Sequence, residues 1–197
     1  MQHAHAHHGG EAHGEMSSVV SGKLGMWWFL SSEIVTFGGL IGCYIVARIA
    51  HPEWAESSHH LSVLTATINT LVLLTSSLTI VLAHAAMEHG DEATTTRMLG
   101  YTVLGGLAFL AIKSFEWGVK FNHGILPWND GFWGFYFAMT GLHALHVLGG
   151  VIINLALWIV AARGRIRPIA GRIEYAGLYW HFVDVVWIFL FPVLYLS

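Results

Sequence analysis

The residues best suited to do chemistry lie inside long apolar stretches. His143 and His146 are three apart, so on a helix they share a face, and the spacing suits two metal ligands. His181 and Asp184 repeat that offset, where a carboxylate could orient an imidazole as an outer partner of a metal. A three-histidine copper or haem site needs a complete, matched ligand set, and two pairs on separate helices do not show one. Interhelical hydrogen bonding is the stronger reading of these four residues. Glu33, in Trp28-Phe-Leu-Ser-Ser-Glu33-Ile, reads either as a proton-active or lipid-contacting carboxyl, or as a hydrogen-bonded acid that fixes packing. Lys113, Glu116 and Lys120 follow i, i+3 and i+7 spacing on one face; they can pair with each other, and the long lysines can snorkel.

Outside the apolar stretches, the start of the chain carries His3, His5, His7, His8 and His13 among Ala, Gly and Glu. Such tracts bind copper, zinc or nickel, but without cysteines or regular ligand spacing a solvated tail with incidental metal affinity is the simpler reading. Cys43 is the only cysteine, which rules out an intrachain disulfide and a thiolate metal cluster. No basic patch points to nucleic acid.

The elements that hold these residues follow from composition. Of 197 residues, 55% are hydrophobic and 11% charged, against roughly 25% charged in an ordinary soluble domain. Runs at 24–50, 61–87, 98–119, 132–162 and 173–196 each exceed the roughly 20 residues needed to cross a hydrocarbon core of about 30 Å. They are apolar almost all round, unlike the helices of a soluble bundle, which keep a polar face. The expected fold is all-α: a polytopic bundle of five transmembrane helices over 23–197, preceded by a disordered, His-rich tail over 1–22. The second run, with Thr65, Thr67, Asn69, Thr70, Thr75, Ser76, Ser77 and Thr79, reads as an interior helix packed through small hydroxyl residues, with a water path as the lesser alternative.

Short connections at 51–60, 88–97, 120–131 and 163–172 force consecutive spans to run antiparallel. The fourth carries Arg163, Arg165, Arg167 and Arg172. Placing it in the cytoplasm also puts Lys23 and Arg97 inside and leaves Arg48 and Lys120 outside, six against two. That sets the N-terminus in the cytoplasm and the C-terminus outside. Trp27, Trp28, Trp117, Trp128, Trp133 and Trp158 fall near span ends and read as interface anchors.

Phe135-Tyr-Phe-Ala-Met-Thr-Gly-Leu-His143-Ala-Leu-His146-Val and Tyr179-Trp-His181-Phe-Val-Asp184-Val-Val-Trp187 resemble hallmark segments of subunit III of the haem-copper oxidases. Glu33 is similar to that family's membrane-embedded glutamate, and Glu174 to another glutamate just ahead of the hallmark. Lys113-Ser-Phe-Glu116-Trp-Gly-Val-Lys120-Phe-Asn-His123-Gly is similar to a further family segment, with Trp117 where the family has tyrosine. The resemblance covers roughly residues 24–196 and implies a five-helix bacterial member of the plasma membrane, lacking the first two helices of mitochondrial-type members. It implies a subunit that binds catalytic subunit I and other oxidase subunits, holds phospholipids, aids oxygen access and sustains proton uptake. It also implies haem and copper in the partner subunits and none in this chain; the inventory agrees, because a dinuclear copper centre of the oxidase type needs two cysteines and only Cys43 exists. The matches around Lys113, Glu116 and Glu33 look more like cytochrome c oxidases, while the His-rich start also resembles some quinol oxidases. The rival from another class is an ion or metal transporter using Glu33, His143, His146, His181 and Asp184 as a relay. It lacks the internal repeats and broken helices frequent in transporters.

Overall fold

A computed structural model describes the backbone of residues 8–58 and 61–196, and their side chains apart from residues 8–21, 23 and 55. The metal affinity expected of His3, His5, His7 and His8, and most of the tail expected over 1–22, fall outside the described residues or side chains. The elements are α1 (His8–Ala50), α2 (Trp54–Ser58), α3 (Val63–Glu88), α4 (Glu92–Asn122), α5 (Gly131–Ala162), a 3-10 turn (Arg167–Ile169) and α6 (Gly171–Tyr195). No strand occurs among the described residues. Five of the helices, all but α2, are long and apolar enough to cross a membrane. Even α6, with 25 residues, reaches about 37 Å at about 1.5 Å per residue.

The described residues fall into two compact units, one ending at Thr36 and the other starting at Phe37. The first contains the N-terminal part of α1, where Ser31 and Ser32 donate to the carbonyls of Trp27 and Phe29 at 2.8 and 2.7 Å. In the second, α3 packs along α4, α4 along α5, and α6 against both α3 and α5, while α2 rests on α5. Close approach depends on glycine. A Cβ on Gly150 or Gly106 of α5 and α4 would sit 2.6 Å from the Trp180 ring of α6, and one on Gly105 would sit 2.5 Å from Ser76 Cβ of α3.

Turn chemistry explains where the spans stop. After α3, Gly90 takes φ +75; its N–H reaches Met87 O and the Asp91 N–H reaches Ala86 O, at 3.0 and 2.9 Å. This pair of backward bonds satisfies carbonyls that the helix end would leave bare, and the left-handed residue between them suits glycine. Gly164 repeats the arrangement after α5, with bonds to Ala161 O and Val160 O. Asp91 then caps α4 by accepting from Thr94 N at 2.9 Å and Thr94 Oγ1 at 2.6 Å. The connection expected over 88–97 is therefore only His89, Gly90 and Asp91, because the first turn of α4 is polar and capped, which hydropathy does not register. The connection expected over 51–60 likewise contains α2.

The expectation that the second span is interior holds on one face only. Asn69, Leu73, Ser76, Ile80 and Ala83 of α3 are buried, whereas Leu64, Leu71 and Leu78, seven apart, are exposed. Most of its hydroxyls are spent on their own helix: Thr67, Thr70 and Thr75 donate to carbonyls four residues back. Trp133, expected as an interface anchor, is buried, whereas Trp128 is exposed.

Candidate functional site

The densest polar cluster surrounds Glu116 on α4. Lys113, Glu116 and Lys120 are 2%, 7% and 5% exposed, so the lysines do not snorkel outward; the i, i+3, i+7 stripe faces the bundle interior. Lys113 Nζ donates to Glu116 Oε2 at 3.0 Å, and Lys120 Nζ lies 3.4 Å from Glu116 Oε1. From α5 the Tyr136 hydroxyl donates to Oε1 at 2.9 Å, and from the end of α6 the Tyr195 hydroxyl reaches Oε1 at 2.8 Å. Lys113 Nζ also stands 5.1 Å from the ring centres of Tyr136, Trp187 and Tyr195, a cage whose faces attract a cation. The stripe is visible in one helix of the sequence. Its partners Tyr136, Tyr195 and Trp187 carry no such local signal, because they arrive from 20 to 82 residues away in the chain.

A second polar seam joins α3 to α6. Trp180 Nε1 donates to Ser76 Oγ at 3.0 Å, Trp187 Nε1 to Thr70 Oγ1 at 2.9 Å, and Ser77 Oγ shares a 2.6 Å hydrogen bond with His181 Nδ1. His181 is thus held by a hydroxyl and not by Asp184. The Asp184 carboxyl lies beside Ser77, with both oxygens buried and neither in a hydrogen bond of regular geometry. Glu174 and His181 line one groove of about 170 Å³ with His84 of α3.

The two histidines of α5 part company. His143 is wholly buried, stacked on Trp187 at 5.0 Å and edge-on to Phe109 at 5.5 Å, and neither ring nitrogen has a hydrogen-bond partner. His146 bonds through Nδ1 to Leu142 O at 2.8 Å, and its ring meets Phe37 at 5.2 Å. Its own carbonyl accepts from the Tyr179 hydroxyl at 2.9 Å. Among the described residues no group of three or more His, Cys, Asp and Glu is placed to hold a metal ion. Glu33 lies on α1 in the first unit.

The profile of the family described as cytochrome c oxidase subunit III matches residues 6–197. The chain belongs to the cytochrome c oxidase subunit III family. It is 34% identical to cytochrome c oxidase subunit 3 of Corynebacterium diphtheriae, across 85% of this chain and 83% of that protein. The same subunit of Synechocystis is 34% identical across 95% and 80%, and that of Alkalihalophilus pseudofirmus 35% identical across 88% and 85%. As a member of the subunit III family, the chain is a multi-pass membrane subunit of a haem-copper oxidase complex. In this subunit III fold, the segments that carry the resemblance are the ones that interlock: Tyr179, Trp180, His181 and Trp187 of α6 each bond to or stack on α3 or α5.

Proposed function

We propose that this chain supports a respiratory haem-copper oxidase of the bacterial plasma membrane without carrying a redox centre, docking on catalytic subunit I, holding phospholipids, easing oxygen access and sustaining proton uptake. The N-terminus is cytoplasmic in this reading and the C-terminus outside, by the excess of Lys and Arg on that side. Haem and copper belong to the partner subunits, and cytochrome c is the electron donor of the complex.

One observation carries the reading: Glu116, His181 and His143 are engaged in contacts between helices. Glu116 is saturated by Lys113, Tyr136 and Tyr195, and His181 is tied to Ser77. His143 is pressed between Trp187 and Phe109. A lone cysteine leaves no donor pair for dinuclear copper. A direct part in proton or lipid function is assigned to Glu33, whose depth in the first span makes a carboxyl costly.

Glu33→Gln tests that part. It keeps the shape and much of the hydrogen bonding, so the complex should assemble, while its active lifetime during turnover shortens or its proton uptake weakens. Glu33→Ala removes both and should loosen assembly or bound lipid. A Gln variant equal to the wild type in turnover, proton uptake and retained lipid, beside an Ala variant that fails to assemble, reduces Glu33 to a packing residue.

A further inference from the structure

At the C-terminal end of α4 a pocket of about 620 Å³ is lined by Ser57, Val119, Lys120, His123, Ile125 and Trp133. It lies where the chain leaves the apolar span, beside the connection that carries the exposed Trp128, a residue type suited to the headgroup level of a bilayer. Its polar lining is unusual because one member, Lys120, is also part of the buried Glu116 cluster. That cluster holds two ammonium groups and one carboxylate, so one positive charge is left over.

Glu116 gives Lys120 only a long ion pair. Its two oxygens already accept from Lys113 Nζ and from the Tyr136 and Tyr195 hydroxyls, which takes most of a carboxylate's roughly four acceptor positions. The Lys120 ammonium stands at 3.4 Å from Oε1, beyond a good charge-assisted bond, and otherwise faces the rings of Trp133 and Tyr136 at 5.7 and 5.4 Å. An ammonium has three donors, so Lys120 keeps hydrogen-bonding capacity for a guest in the pocket it lines. His123, the exposed residue that ends α4, can add a ring N–H. Behind Ser57 stands a carboxylate: Ser57 Oγ donates to Asp130 Oδ2 at 3.2 Å. The pocket therefore pairs a cation and N–H donors with a nearby anion. Leading away from it along α4, Val119 and Phe115, four apart, offer exposed apolar surface.

We propose that this pocket binds the headgroup of a zwitterionic aminophospholipid. The phosphodiester is held by Lys120 Nζ and His123, the amine is drawn toward Asp130, and an acyl chain lies on Val119 and Phe115. This deepens the lipid-holding reading above and rests on it.

The test uses the intact oxidase complex, delipidated and reconstituted into phosphatidylcholine nanodiscs doped with phosphatidylethanolamine or, separately, phosphatidylglycerol. Native mass spectrometry then counts the lipid that stays with this chain. The expected result is stoichiometric retention of phosphatidylethanolamine, lost in Lys120→Gln. Because Lys120 also touches the buried cluster, His123→Ala, at an exposed position, serves as the second variant and should lose the lipid with the complex intact. Preferential retention of phosphatidylglycerol would overturn the zwitterion assignment. Binding of inorganic phosphate, followed by 31P NMR on the delipidated complex and abolished by Lys120→Gln without any retained lipid, would overturn the headgroup assignment in favour of a free anion. Retention that is equal in wild type and both variants removes this pocket but leaves the lipid-holding reading standing. A wild-type complex that keeps no tightly bound lipid sinks that reading itself.

Discussion

Glu116→Gln should be among the most damaging single changes in the bundle, and the reason is charge balance. The wild-type cluster sets two ammonium groups against one carboxylate, with Lys113 at 3.0 Å and Lys120 at 3.4 Å. Neutralising Glu116 leaves two buried cations, each about one turn from it, and no anion. Losing the counter-charge of a buried pair costs about 3–5 kcal/mol. At tenfold per ~1.4 kcal/mol, that raises the unfolded fraction by roughly a hundredfold to several thousandfold. Lys120→Gln works the other way: it leaves Lys113 and Glu116 as a balanced pair at 3.0 Å, and the loss should stay near about 1 kcal/mol, the scale of one hydrogen bond. Lys113→Gln falls between, since it removes the closer contact and empties the aromatic cage. The assay heats the purified oxidase complex in detergent and follows both the fraction of this chain still bound and its tryptophan fluorescence, to which Trp187 and Trp133 contribute from beside the two ammonium groups. The expected order of midpoints is wild type, Lys120→Gln, Lys113→Gln, Glu116→Gln. A Glu116→Gln complex as stable as Lys120→Gln would show that the charge-balance reasoning is wrong.

Three further outcomes follow from named contacts. Gly150→Ala drives a Cβ to 2.6 Å from the rigid Trp180 ring, so it should cost about 1–3 kcal/mol as overpacking, whereas Gly118→Ala, with nothing within 4 Å, should be neutral or mildly stabilising; equal midpoints would contradict the packing account. Thr94 holds the Asp91 carboxyl below the ordinary carboxylate value through its hydroxyl and its amide. The α4 cap is therefore complete above that ordinary value and weakens as pH falls through the lowered one. Asp91→Ala should lower the melting midpoint at neutral pH and flatten its acid dependence, and an unchanged acid limb would remove the cap from the account. A reporter fused after Ser197 should be found outside the cytoplasm and one fused near Arg167 inside; the reverse pattern inverts the proposed orientation.

Hydropathy made the five spans legible because lipid demands long apolar runs, and it failed where polarity is local. The first two turns of α4 hold Glu92, Thr94, Thr95, Thr96 and Arg97, so they read as loop although Asp91 caps them as helix. The same blindness hid α2 around Trp54. Pairing along one helix was also legible: Lys113, Glu116 and Lys120 announce each other by spacing. What closes around them was not, since Tyr195 lies 79 residues from Glu116 and nothing in the local pattern marks its hydroxyl. Trp133 shows the converse error. Its position near a span end suits an interface anchor, but the i+3 and i+4 neighbours Tyr136 and Phe137 carry that face of α5 inward, and Trp133 lies under Lys120. Likewise, the offset of three between His181 and Asp184 suggested one acting on the other, while Ser77 of α3 takes the imidazole.

The central claim is that this subunit supports an oxidase whose redox centres lie elsewhere. Its most direct test is to purify the complex, strip this chain from it, and measure haem absorbance and copper in both fractions. The account predicts that the remaining core keeps its full complement of haem and copper, loses activity sooner during turnover, and that the separated chain shows no Soret band. A Soret band or copper stoichiometric with the separated chain, matched by a deficit in the core, would contradict it.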